Sequence, residues 1–165
     1  MIKMPTNITL KGLDGAEFDL SKFAMTHNFV MFLYPKLGES GKGLSDELKN
    51  MCAMTGCTVQ ANEYKRLLSE FNTLGFKLVA VGTQDVFIQQ SFKESIGAEF
   101  IYLNDDEFML ECALKLPTFK SADGKKFYFR QTLVVKNKEI IHKNLISNPE
   151  LDAENTLKLI REFKI

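Results

Sequence analysis

The side chain best placed to do chemistry is Cys57, in the stretch Met54-Thr55-Gly56-Cys57-Thr58. Behind it Tyr64, Leu67, Leu68, Phe71 and Leu74 recur at helical spacing, which predicts a helix from Cys57 to about Gly75 with the thiol in its first turn. Unpaired backbone N–H groups and the positive end of the helix dipole favour thiolate over thiol there. Other constellations are weaker. Gly38-Glu39-Ser40-Gly41-Lys42-Gly43 has the composition of a phosphate loop, but Lys36 and Gly43 stand where that motif needs glycine and Ser or Thr. Cys52 and Cys57, with His27 and His142, lack the paired spacing of a zinc site. No G-x-S-x-G elbow is present for a serine hydrolase, and His142 reads as a structural or surface histidine.

The elements that must hold Cys57 follow from hydrophobic patterning. Phe29 to Tyr34 is an apolar run closed by Pro35, and Asn28 to Tyr34 reads as a buried strand. Around it are expected an N-terminal hairpin (Ile8 to Leu10 and Phe18 to Leu20), a short helical turn capped by Ser21, and strands at 76–81 and 100–103. Helices are expected at 86–96 (ended by Gly97), 108–116 and 151–163, the last turning Leu157, Ile160 and Leu151 inward. Lys126 to Val135 and Glu139 to His142 read as two strands around a turn. Between Pro35 and Cys57, a loop at 38–43 is followed by a possible two-turn helix carrying Leu44, Leu48 and Met51, with Ser45 as N-cap. Alternating β and α followed by a hairpin and a helix predict one α/β domain over 1–165, a mixed central sheet flanked by helices.

Bulk properties exclude several classes. With 21 basic and 21 acidic side chains and no dense Lys/Arg run, nucleic acid or an anionic membrane is not the expected partner. The longest apolar run falls short of a bilayer span, and the first residues have no secretory h-region. Three cysteines make no disulfide framework, so a reducing, cytoplasmic setting is expected. The state expected is monomer or homodimer.

Phe32-Leu33-Tyr34-Pro35-Lys36 and Met54-Thr55-Gly56-Cys57-Thr58 together resemble the aromatic-Tyr-Pro-Lys and Thr-Pro-Gly-Cys-Thr stretches of the bacterioferritin-comigratory, or Q-type, peroxiredoxins. Leu78-Val79-Ala80-Val81-Gly82, Leu103-Asn104-Asp105 and Phe129-Arg130-Gln131-Thr132-Leu133-Val134-Val135 are similar to later strands of that family, in the same order. The resemblance implies a thioredoxin-like (peroxiredoxin) sandwich and a peroxidase reducing hydrogen peroxide or small organic hydroperoxides through a cysteine sulfenic acid. It implies Cys57 as the peroxidatic thiol, Pro35 as its shield, Arg130 as the cation facing it, and thioredoxin or another thiol as reductant. No metal, haem or flavin is implied. The cation matters because a helix terminus alone contributes only about 0.3–1 kcal/mol, ~2 in favourable buried geometry.

The chain also departs from that pattern. Pro35 stands 22 residues before Cys57 rather than seven, so 37–53 read as an insertion. Met54 occupies the place of the family's Thr or Ser, leaving Thr55 as the substitute, and Asn62 occupies the place of the resolving cysteine. Cys52 is then the first candidate resolving thiol, against an alternative reading as an apolar filler beside Leu48. Cys112, among Phe108, Met109 and Leu116, is expected in the core. Two rival functions stay open: a thiol–disulfide oxidoreductase, though no Cys-x-x-Cys is present, and a redoxin-fold binding module without peroxidase activity.

Overall fold

The computed structural model describes residues 2–35 and 56–162. Its centre is β4 (Asn28–Leu33), whose residues beyond Asn28 are all buried. Alternate side chains of a strand face opposite ways, and here both faces are covered. Val30, Phe32 and Tyr34 enter one core cluster, while Phe29, Met31 and Leu33 enter another. β4 runs parallel to β5 (Phe76–Gly82), and β5 parallel to β6 (Ile101–Asn104). On its other side β4 pairs antiparallel with β9 (Gln131–Lys136), followed by β10 (Glu139–Leu145) and the two-residue β1 (Ile2–Lys3). Beyond β6 the sheet continues through the hairpin of β2 (Thr9–Gly12) and β3 (Glu17–Asp19), giving eight strands of mixed direction among the described residues.

One face carries α2 (Cys57–Arg66), α3 (Leu68–Thr73), α4 (Val86–Ile96) and α6 (Pro149–Glu162), which supply Ala61, Tyr64, Phe71, Phe92 and Leu157 to the first cluster. The other face carries α1 (Leu20–Thr26) and α5 (Met109–Leu114), through Leu20, Ala24, Leu110 and Leu114. The expected mixed sheet between helices is the architecture found, and α4 ends at Gly97, as expected, in the left-handed conformation (φ 68°).

Several expectations need correction. α1 is capped by Asp19, whose carboxylate accepts from Lys22 N; Ser21 Oγ instead accepts from Ile8 N and donates to Pro5 O. The helix after Cys57 breaks at Leu67 (φ −101°, ψ 6°), so α2 and α3 are separate. The periodicity concealed the break because Tyr64, Leu67 and Phe71 still reach the same cluster.

The expected strand 126–135 is two strands. β8 (Lys126–Tyr128) forms a separate hairpin with β7 (Thr118–Lys120), the chain leaves the ladder at Phe129 and Arg130, and β9 then joins the main sheet. Cys112 is exposed: in a helix as short as α5, Leu110 and Leu114 at i and i+4 point inward and Cys112 between them points out. Leu151 is 41% exposed, because α6 turns Asp152, Ala153, Thr156, Leu157 and Ile160 inward instead. The expected loop and helix at 38–51, and with them Cys52, Met54 and Thr55, lie outside the described residues.

Candidate active site

Cys57 is the first residue of α2, and it is there because Gly56 turns the chain. Gly56 has φ +98°, a region that glycine enters without strain. A methyl group at Gly56 would also sit 2.8 Å from Cγ of Pro149, so the start of α6 packs directly on this turn. Cys57 is buried, with 7% of its surface exposed, in the cluster that holds Tyr34.

Arg130 is the largest of the fully buried side chains among the described residues, at 0% exposed, and its Nη2 donates to Cys57 Sγ at 3.3 Å. Arginine is usually exposed, so its full burial here marks it as held by the site. The break between β8 and β9 aims it: Phe129 N bonds to Pro117 O, Arg130 O accepts from Ile146 N at 3.0 Å, and the side chain runs inward toward α2. A guanidinium keeps its charge and donates through a planar fork. The second arm of the fork, Nη1, donates to Gln60 Oε1 at 2.7 Å. Sequence reasoning missed Gln60, although at three residues after Cys57 it falls on the same face of α2.

Behind Gln60 lies a second residue the sequence reading missed. Gln60 Nε2 donates to Asp152 Oδ2 at 2.9 Å, and the same oxygen receives Tyr64 OH and Thr132 Oγ1, each at 2.7 Å. Burial, with the Asp152 charge second, pushes the Tyr64 phenol well above its ordinary value. Among the described residues no buried side-chain nitrogen or oxygen lacks a partner, so this network is satisfied throughout.

On the other side of Cys57, Tyr34 follows β4 and precedes the buried Pro35. Burial raises the Tyr34 phenol above its ordinary value; the hydrogen bond from Gln89 Nε2 (2.9 Å) opposes the rise and the neighbouring Cys57 adds to it. Gly82 is required beside it, since an added Cβ would lie 2.5 Å from Tyr34 Cε2. The structure thus brings Cys57 and Arg130 together and buries Pro35 at the carboxyl end of the central strand. Thr55 and Cys52 belong to the stretch outside the described residues. Cys112, by contrast, is on α5, across the sheet from α2. Among the described residues no group of His, Cys, Asp and Glu could hold a metal.

The chain is similar to known proteins over nearly its whole length. The Redoxin family profile matches residues 3–160. The chloroplastic peroxiredoxin Q of Populus jackii is 27% identical over 165 residues, covering 96% of this chain and 67% of that protein, so the chain spans about two thirds of that relative. A mutant of Xanthomonas campestris peroxiredoxin Q superposes with a TM-score of 0.77 at 18% identity, covering 99% of this chain and 98% of that one. The Xanthomonas campestris bacterioferritin comigratory protein, in a trapped intermediate/ligand complex structure, gives 0.75 at 19% identity, covering 100% and 99%. The chain belongs to the redoxin family, and within it to the peroxiredoxins of the Q type.

Proposed function

We infer that the protein is a thiol-dependent peroxidase in which Cys57 is the peroxidatic cysteine. The observation that carries this is the pairing of a buried thiol at the start of α2 with the Arg130 guanidinium, 3.3 Å from its sulfur. The guanidinium stabilises negative charge on Cys57 Sγ, making it the nucleophile. The sulfur attacks one oxygen of the peroxide and the O–O bond breaks. Cys57 becomes a sulfenic acid, and the departing hydroxide or alkoxide takes up a proton and leaves as water or an alcohol. Donors already aimed at the developing charge lower the barrier without reorganising, and Arg130 is such a donor. Pro35 closes the site beside the strand end. Thr55 is the candidate, by resemblance to the family, to accept a hydrogen bond from the peroxide.

Hydrogen peroxide and small organic hydroperoxides are the proposed substrates. Alkyl peroxide reduction is named for the Xanthomonas campestris protein that shares this fold. A thiol must then attack the sulfenic sulfur, releasing water and forming a disulfide that a reductant reopens. Cys112 is poorly placed, because the whole sheet separates α5 from Cys57. Cys52 or an external thiol is therefore the proposed partner, thioredoxin the proposed reductant, and the cytoplasm the proposed compartment.

The test is peroxide consumption by wild type, Cys57→Ser, Cys52→Ser and Cys112→Ser. Cys57→Ser should abolish it, and Cys112→Ser should leave both the first oxidation and turnover unchanged. Turnover with thioredoxin lost in Cys52→Ser, with the first oxidation intact, would identify Cys52 as the resolving thiol. Wild type that reduces insulin disulfides but consumes no peroxide would sink the peroxidase reading.

A further inference from the structure

We propose that Asp152, on the C-terminal helix, is a positioning residue of the peroxide-reducing site, holding Arg130 against Cys57 through the side chain of Gln60. The proposal rests on the peroxidase reading above. A side-chain amide has one accepting and one donating end. Gln60 Oε1 faces Arg130 Nη1 at 2.7 Å, and Gln60 Nε2 faces Asp152 Oδ2 at 2.9 Å. A guanidinium only donates and an ionised carboxylate only accepts, so both neighbours dictate the same amide orientation. Without the carboxylate, the amide can turn over and present its NH2 to the guanidinium, and Nη1 loses the acceptor that Gln60 supplies. The other arm is the one on Cys57 Sγ.

Asp152 is itself fixed. Its Oδ2 receives Tyr64 OH from α2 and Thr132 Oγ1 from β9, and its Oδ1 receives Thr156 Oγ1 from α6 at 3.2 Å. It is only 3% exposed, and a buried carboxylate is costly unless several donors hold it. The same end of the chain touches the site at two more points: Ile146 N bonds to Arg130 O at 3.0 Å, and Pro149 abuts Gly56. Residues 146–152 thus set the backbone of the arginine, the turn before the cysteine, and the amide between them.

Formation of sulfenic acid on Cys57 can be followed by rapid quench and mass spectrometry, since the chain has no tryptophan to report it by fluorescence. Wild type is measured first, and a wild type that does not oxidise overturns the peroxidase reading itself. Asp152→Asn keeps the shape and removes the charge; it should oxidise Cys57 about tenfold or more slowly while folded, as small misplacements of a catalytic group do. Gln60→Glu sets two carboxylates face to face and should also be slow. The double variant Gln60→Glu/Asp152→Asn exchanges carboxylate and amide, and should be about tenfold faster than Gln60→Glu. Two merely structural losses would add rather than cancel. An Asp152→Asn protein with the wild-type rate, or a double variant no faster than Gln60→Glu, overturns the proposal. Should the Asp152 variants not fold, Gln60→Met cuts the same link with the carboxylate in place, and a wild-type rate there overturns it equally.

Discussion

Replacing Arg130 by Met removes the cation from the sulfur without changing the length of the buried side chain much. At the observed 3.3 Å, a unit charge pair is worth roughly 5 kcal/mol at an effective dielectric of about 20 and roughly 1.3 kcal/mol in water. At about 1.36 kcal/mol per factor of ten, that range spans about tenfold to several thousandfold in rate. Because Arg130 is fully buried, the site lies toward the less water-like end of that range. We therefore expect Cys57 oxidation in Arg130→Met to be about 10²–10³-fold slower at pH 7. Stability should change much less. The variant leaves Gln60 Oε1 without its donor, a cost of about 1–3 kcal/mol, but it also removes a buried charge whose desolvation opposed folding. Arg130→Lys keeps the charge and loses the planar fork, so it should fall between wild type and Met.

The assay is competition with a haem peroxidase for limiting hydrogen peroxide, with the melting temperature measured on the same samples. A folded Arg130→Met protein that oxidises within threefold of wild type at pH 7 would refute the reasoning, because a charge at hydrogen-bond distance would then contribute nothing to the step.

Two further perturbations test the supports. Gly56→Ala forces a side chain onto φ +98° and against Pro149, and should cost about 1–3 kcal/mol of stability and slow the oxidation of the adjacent Cys57, read by thermal melting and the same competition assay. Glu111 tests the other face of the sheet. Its hydrogen bond from Lys126, and after it that from Thr118, hold its carboxyl below the ordinary value. A depressed folded value means that the contribution is present above about 4.3, the ordinary carboxyl value, and is lost as pH falls through the lower folded one. Urea melts between pH 6 and 3 should therefore show a shallower acid loss in Glu111→Gln than in wild type. The difference should be small because the ion pair is partly exposed.

Much of this was legible in the chain because hydrophobic spacing reports burial directly. The run at 28–34 gave the central strand, and Gly97 marked the observed end of α4. Errors fell where spacing is indifferent to a change of direction. Leu67 bends the path between α2 and α3 while its apolar neighbours stay in one cluster. Phe129 and Arg130 lie between two strands of ordinary strand composition, so the shift from the small hairpin to the main sheet left no mark in the pattern. That shift is what lets Arg130 leave the ladder and reach Cys57. Thus the resemblance supplied the identity of the arginine, but the break in pairing supplies its position.

The two site-supporting residues missed from sequence, Gln60 and Asp152, share a signature that was readable. Each sits on an inward helical stripe otherwise occupied by small or apolar side chains: Gln60 beside Ala61 and Tyr64, Asp152 beside Ala153, Thr156, Leu157 and Ile160. Along α6 the positions 152, 156 and 160 recur at intervals of four, so the carboxylate was bound to face the core if the other two did. A polar group on such a stripe is costly unless it meets a partner there. Thr132 on β9 poses the same demand, flanked by residues that alternate between the two clusters. Several unmatched polar groups on elements facing the same side of one sheet satisfy each other most economically by meeting. In this fold they meet behind the guanidinium, and so the inward polar positions outline a site that the cysteine alone did not reveal.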